Sequence, residues 1–84
     1  MKARVIVTPK PVVNDPQGAT VGQGLRALGF PEVRGVRMGK FIELDLDLSE
    51  VAGANARVEE MCRRLLANHV IEDYRFEIEA PPGP

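Results

Sequence analysis

The chain reads as an α+β two-layer sandwich of order β-α-β-α-β, with two helices on one face of an antiparallel sheet. Three observations carry this. Strand-like runs stand at residues 4–8, 36–48 and 74–79, and two stretches with helical spacing of apolar residues separate them. The strands alternate apolar with polar instead of being apolar throughout. Alternation gives each strand one dry and one wet face, which suits a mostly antiparallel sheet. Two helices with apolar stripes then share a single sheet face to cover.

The first strand, RVIVT, is β-branched and is closed by Pro9 and Pro11, which cannot donate to a ladder. A connection over residues 10–14 leads to a locally specified helix start, with Asp15 as N-cap and Pro16 at the first helical position. Val21, Leu25 and Leu28 follow at i, i+4 and i+7, and Gly29 supplies a left-handed residue after the last turn. Gly18, Gly22 and Gly24 are unexpected there, since each costs roughly 0.5–1 kcal/mol relative to alanine in a helix interior. GATVGQG lacks the trailing Lys-Ser/Thr of a P-loop and the spacing of the dinucleotide fingerprint. Close approach of the helix to a neighbouring backbone is the favoured explanation.

Residues 36–48, VRMGKFIELDLDL, alternate almost without fault. Val36, Met38, Ile42, Leu44, Leu46 and Leu48 share one parity; Arg37, Glu43, Asp45 and Asp47 share the other. A two-residue turn at Gly39-Lys40 would put Glu43 on the apolar face. One long central strand bent at Gly39 fits better. Residues 33–48 would then span roughly 50 Å at about 3.3 Å per residue, whereas a compact chain of this length has a radius of gyration of roughly 12 Å. Such a strand must curl or reach into a partner.

After a connection at residues 49–54, a second helix is expected to end near Ala67. Ala54, Val58, Met61, Cys62, Leu65 and Leu66 form its stripe, and Glu59–Arg63 and Glu60–Arg64 pair on the opposite face. Asn68 is a plausible left-handed cap. In the last strand Tyr74, Phe76 and Ile78 point inward. One domain over residues 1–80 is expected, with a disordered tail at residues 81–84.

Composition is that of an ordinary globular chain: 84 residues, 44% hydrophobic, 27% charged, net charge −1. Basic residues are scattered among acidic ones and aromatics are few, which argues against nucleic acid as a partner. No apolar run approaches the ~20 residues of a membrane span. A single cysteine excludes an internal disulfide framework, and cytoplasmic is the default location.

Candidates for chemistry are few. His69 is the only histidine, and Glu72 and Asp73 beside it read as a polar turn and not as metal ligands. Cys62 lies on an apolar stripe, the place of a small buried hydrophobe. Glu43, Asp45 and Asp47 could raise one another's pKa, but a solvated face is the simpler reading. Lys40 falls on the inward parity, so it is exposed by a bend at Gly39 or meets an acidic partner. No nucleophile, base and orienter can be assembled, so no catalytic residue is expected.

The pieces just described also form a pattern. Asp15-Pro16-Gln17-Gly18, then Val36-Arg37-Met38-Gly39-Lys40 with Glu43-Leu44, then VEEMCRRLLANHVIEDYRFEIE at residues 58–79 resemble the PurS family. That family is the small subunit of phosphoribosylformylglycinamidine (FGAM) synthase. The likeness runs in order along nearly the whole chain, and EMC-x-x-LLAN-x-VIEDY is its specific part. His69 departs from the pattern, standing where a smaller residue is expected, and the tail lies outside it. The resemblance implies a PurS-like sandwich on the ferredoxin-like theme and a non-catalytic homodimer or higher oligomer. Its implied partners are a large synthetase subunit, which uses ATP and magnesium, and a glutaminase subunit that supplies ammonia. No cofactor is expected on this chain. Asp15, Gly18, Arg37, Lys40, Glu43 and Asn68 are the expected partner or dimer contacts. A dimeric ligand-binding regulatory module, similar to α+β amino-acid-sensing domains, is the second reading, and a small dimeric enzyme ranks last.

Overall fold

A strand flanked on both sides organises the chain. The computed structural model describes residues 1–80 and contains β1 (Lys2–Pro9), α1 (Pro16–Ala27), β2 (Lys40–Asp45), α2 (Val51–Met61), a π-turn (Cys62–Leu66) and β3 (Glu72–Glu79). The expected tail at residues 81–84 lies outside the described residues. The sheet order is β2-β1-β3, and both neighbours run antiparallel to β1. The strand at the centre is therefore β1, and β2, expected to be central, is an edge. Alternation reports which face of a strand is dry but not which strands stand beside it.

The register stacks apolar residues in rows across the inner face: Leu44–Ala3–Ile78 and Ile42–Val5–Phe76, then Lys40–Val7–Tyr74 at the end. Ala3, Val5 and Val7 are fully buried there beneath Val58 and Cys62 of α2 and the π-turn. The other face carries Lys2, Arg4, Glu43, Asp45, Arg75, Glu77 and Glu79, with an Arg4–Glu79 ion pair at 2.7 Å.

The long strand is shorter than its alternation suggests. The ladder opens at Lys40 and closes at Asp45, extended by a Leu46 N–H donating to the Met1 carbonyl at 2.7 Å. Residues 33–39 lie outside it. The alternation itself holds within the ladder, where Ile42 and Leu44 are half-buried while Phe41, Glu43 and Asp45 are exposed. No hairpin forms at Gly39. Gly39 is instead where the chain leaves the sheet: a Cβ there would strike the Val7 carbonyl oxygen, so only glycine allows this approach to β1.

Only one helix covers the sheet. α2 does so, whereas α1 contributes nothing to the core and packs on the arm of residues 33–39. Gly18 and Gly22 are its buried residues. A Cβ on Gly18 would strike the Val36 carbonyl, and one on Gly22 would lie 3.5 Å from Val36 Cγ2, which is the close approach that the glycines suggested. Gly24 has nothing within 4 Å. Both ends of α1 are as the sequence specifies: Asp15 caps it, and Gly29 at φ 104° closes it with a Phe30 N–H to Leu25 carbonyl bond of 3.1 Å. With α1 held off the sheet, the radius of gyration is 16.6 Å and the extents are 51 × 31 × 14 Å.

The second helix also departs from a regular period. Ala67 N–H donates to the Cys62 carbonyl, five residues back, at 3.0 Å. This wide turn delays the helical phase, so Leu66 faces the core and Leu65, expected on the buried stripe, is 84% exposed.

Candidate functional site

The residues singled out from the sequence form two clusters, with Glu43 apart. The first ties α1 to the arm. Oδ1 of Asp15 accepts from the Gly18 N–H at 3.0 Å, and Oδ2 accepts from the Met38 N–H at 2.8 Å. These two bonds, Gly18 first, hold the Asp15 carboxyl below its ordinary pKa, and the Arg37 charge adds to them. Arg26 Nη1 donates to the Val33 carbonyl at 3.1 Å, fastening the other end. Asp15, Gly18 and Arg37 are thus brought together. Gly18 is buried beneath Val36 and seats the arm, while Arg37 is exposed.

The second cluster lies at the end of the inner sheet face. Lys40 Nζ sits 3.8 Å from Oε2 of Glu72, the acidic partner that its inward parity called for. Oε1 of Glu72 accepts from the Asn68 N–H at 2.9 Å, so one carboxylate joins the start of β2 to the turn behind α2. Asn68 does not adopt a left-handed cap, since among the described residues only a glycine, Gly29, has positive φ. Its Oδ1 accepts from the Val70 N–H at 3.0 Å and its carbonyl from Glu72 N–H at 2.7 Å, so it shapes the turn into β3. Glu43 is exposed on the outer sheet face, with no ion-pair partner among the described residues.

Glu72 is the residue that sequence reasoning undervalued. It lies on the inward parity of Tyr74, Phe76 and Ile78, a second charge on the dry face opposite Lys40. Glu59 was also misassigned. It accepts from the Tyr74 hydroxyl at 2.5 Å in place of pairing with Arg63, whereas Glu60 does take Arg64 at 3.1 Å. That bond is the first cause raising the Tyr74 pKa, and burial is the second.

The remaining reactive groups are committed to the fold. Cys62 is buried, and burial pushes its thiol pKa up, with the Glu59 charge adding to it. His69 Nε2 donates to the Arg63 carbonyl at the end of the second helix. Among the described residues no group of three His, Cys, Asp or Glu side chains could hold a metal ion. No helix there is long and apolar enough to cross a membrane.

Fold and contacts define a small α+β module with a projecting helix–arm unit, whose singled-out residues join segments near its surface. Comparison with known proteins gives this class a family. The family model PurS, described as phosphoribosylformylglycinamidine (FGAM) synthase, matches residues 2–80, and the chain belongs to that family. It is 49% identical over 80 residues to the PurS subunit of phosphoribosylformylglycinamidine synthase from Synechocystis, covering 95% of this chain and 80% of that protein. Against the subunit of the same name from Bacillus subtilis it is 46% identical, covering 93% and 92%. The crystal structure of Methanocaldococcus jannaschii PurS, described as one of the subunits of formylglycinamide ribonucleotide amidotransferase in the purine biosynthetic pathway, superposes with a TM-score of 0.84 at 38% identity, covering 96% and 98%. A chain in the structure of PurLQS from Thermotoga maritima superposes with a TM-score of 0.82 at 32% identity, covering 90% and 93%. These matches favour the synthase reading over the regulatory module.

Proposed function

We propose that the chain is the small, non-catalytic subunit of an FGAM synthase of purine biosynthesis. It bridges the synthetase and glutaminase subunits as a cytoplasmic homodimer and assists the passage of ammonia between them. ATP and magnesium act in the synthetase, and this chain binds neither. The observation that carries the reading is the match over residues 2–80, which takes in every candidate residue. The fold is consistent with it: its charged and polar candidates at the surface hold an arm and a turn in place, an arrangement suited to docking. Arg37, Lys40, Glu43 and Asn68 are the contact residues in this reading, while Asp15 and Gly18 fix the arm that presents Arg37.

Reconstitution tests it. Synthetase and glutaminase subunits are mixed with or without the purified chain, and amidine formation is followed with glutamine as nitrogen donor. Turnover should require the chain, and Arg37→Glu should weaken assembly. Glutamine-dependent turnover of full rate without the chain would overturn the proposal.

A further inference from the structure

Two tight turns at one end of the sheet each raise a valine into solvent. In residues 10–13 the Val13 N–H donates to the Lys10 carbonyl at 3.0 Å, with Pro11 and Val12 between them. In residues 68–71 the Ile71 N–H donates to the Asn68 carbonyl at 3.1 Å, with His69 and Val70 between them. The Lys10 N–H donates to the Ile71 carbonyl at 2.8 Å, so the two turns stand side by side. Valine holds the third of four positions in both, and Val12 is 93% and Val70 82% exposed. Turn tips favour glycine, asparagine, aspartate or serine, which adopt the needed backbone or bond to it. A stiff β-branched side chain contributes nothing to the turn, and neither valine reaches the core. Ile71, next to Val70, is exposed as well.

The surface is prebuilt. Oδ1 of Asn68 accepts from the Val70 N–H at 3.0 Å, and the Asn68 N–H donates to Oε1 of Glu72 at 2.9 Å. A backbone fixed in this way loses little freedom on docking. Its charge is also directed. Lys40 Nζ lies 3.8 Å from Oε2 of Glu72, and the lysine side chain is 58% exposed where that of Glu72 is 20%. The ammonium therefore stands outside its own counter-ion, available to a second carboxylate.

We infer that the two turns form one docking surface: Val12 and Val70 enter an apolar cleft of the large synthetase subunit, and Lys40 meets a carboxylate at the rim of that cleft. Two adjoining knobs call for a concave acceptor, and clefts lie preferentially between domains, which a large chain has. Asn68 acts here as a positioning residue, through the turn that presents Val70. The inference rests on the subunit reading above and names a surface for it.

Binding of the full chain to the isolated synthetase subunit, followed by biolayer interferometry, tests it. Both valines are exposed enough for their variants to fold, as circular dichroism verifies. Val12→Ser and Val70→Ser should each raise the dissociation constant by roughly 10–100-fold, the effect of withholding a valine from burial. Lys40→Met should weaken binding and reduce its dependence on salt. Asn68→Ala should weaken binding by itself yet add nothing to Val70→Ser, a coupling that a general loss of stability would not produce. Binding to the glutaminase subunit and self-association in sedimentation equilibrium should stay at wild-type values. Wild-type affinity for the synthetase in either valine variant would overturn the inference, and so would a loss that falls on the glutaminase or on self-association instead. The subunit reading stands or falls separately, on whether glutamine-dependent turnover requires the wild-type chain.

Discussion

Gly39 marks the point where the arm enters the sheet, and alanine there puts a number on that junction. Its φ is not in the left-handed region, so backbone strain is not the issue. The obstacle is contact: the new Cβ would meet the carbonyl oxygen of Val7, in the middle strand, and would lie 3.3 Å from Thr8 Cγ2. A strand backbone cannot rotate away as a side chain can. Overpacking of this kind costs about 1–3 kcal/mol. Against it stands the reduced freedom of the unfolded chain, which returns about 0.4–1 kcal/mol. Gly39→Ala should therefore lose roughly 1–2 kcal/mol, or about 4–16 °C in Tm for a domain of this size. Gly35, on the same arm, has nothing within 4 Å and no positive φ. Gly35→Ala should be stabilising by about 0.4–1 kcal/mol. Urea unfolding followed by circular dichroism at one fixed protein concentration measures both. The contrast in sign is the test. If Gly39→Ala is as stable as the wild type, β2 does not approach β1 as described.

Other expectations concern titration and reactivity. The Asp15 carboxyl has a depressed folded-state pKa, so its contribution is complete above the ordinary aspartate value and is lost as pH falls through the folded one. The amide protons of Gly18 and Met38 should shift together below the ordinary aspartate range, and Asp15→Asn should abolish both titrations; a midpoint at or above that range would refute the double bond. Tyr74 has a raised pKa, so its contribution is present below the unfolded value and fades as pH climbs through the folded one. Absorbance titration should find its phenol ionising above 10, with Glu59→Gln moving the midpoint down. The buried Cys62 thiol, its pKa raised, should resist iodoacetamide at neutral pH in the native chain and react fully in urea; equal rates would contradict its burial.

What the sequence disclosed was local or periodic. Asp15, Pro16 and Gly29 specify both ends of α1 through their own backbone chemistry, with no help from distant residues. Lys40 stood out because a charge on the dry parity requires a partner, and Glu72 was legible by the same rule once β3 is taken to start at Glu72. The second bond of Asp15, to a backbone amide 23 positions away, has no signature in either segment. Sheet order was hidden for a related reason: the parity of β2 tells which side is dry, and the neighbour is decided by the whole chain. The apolar stripe of α1 was expected to cover the sheet, but Val21 and Leu28 are exposed and no residue of the stripe joins the core, because spacing does not name what a stripe packs on. Leu65 was misplaced because a 3.6-residue period assumes an unbroken α-helix, and the wide turn at Cys62 breaks it.

That wide turn holds one more residue than an α-helical turn between the same two anchoring points. Those points are Cys62 and Ala67, five residues apart, and removing the exposed Leu65 between them would leave them at the ordinary i, i+4 spacing of an α-helix. A chain shortened by that single residue should keep Val58, Cys62 and Leu66 on the inner face. When relatives of this chain are aligned, a one-residue gap there would preserve the core. The helix is a place where length can change by one without disturbing the sheet, and where the loss would show at the surface instead.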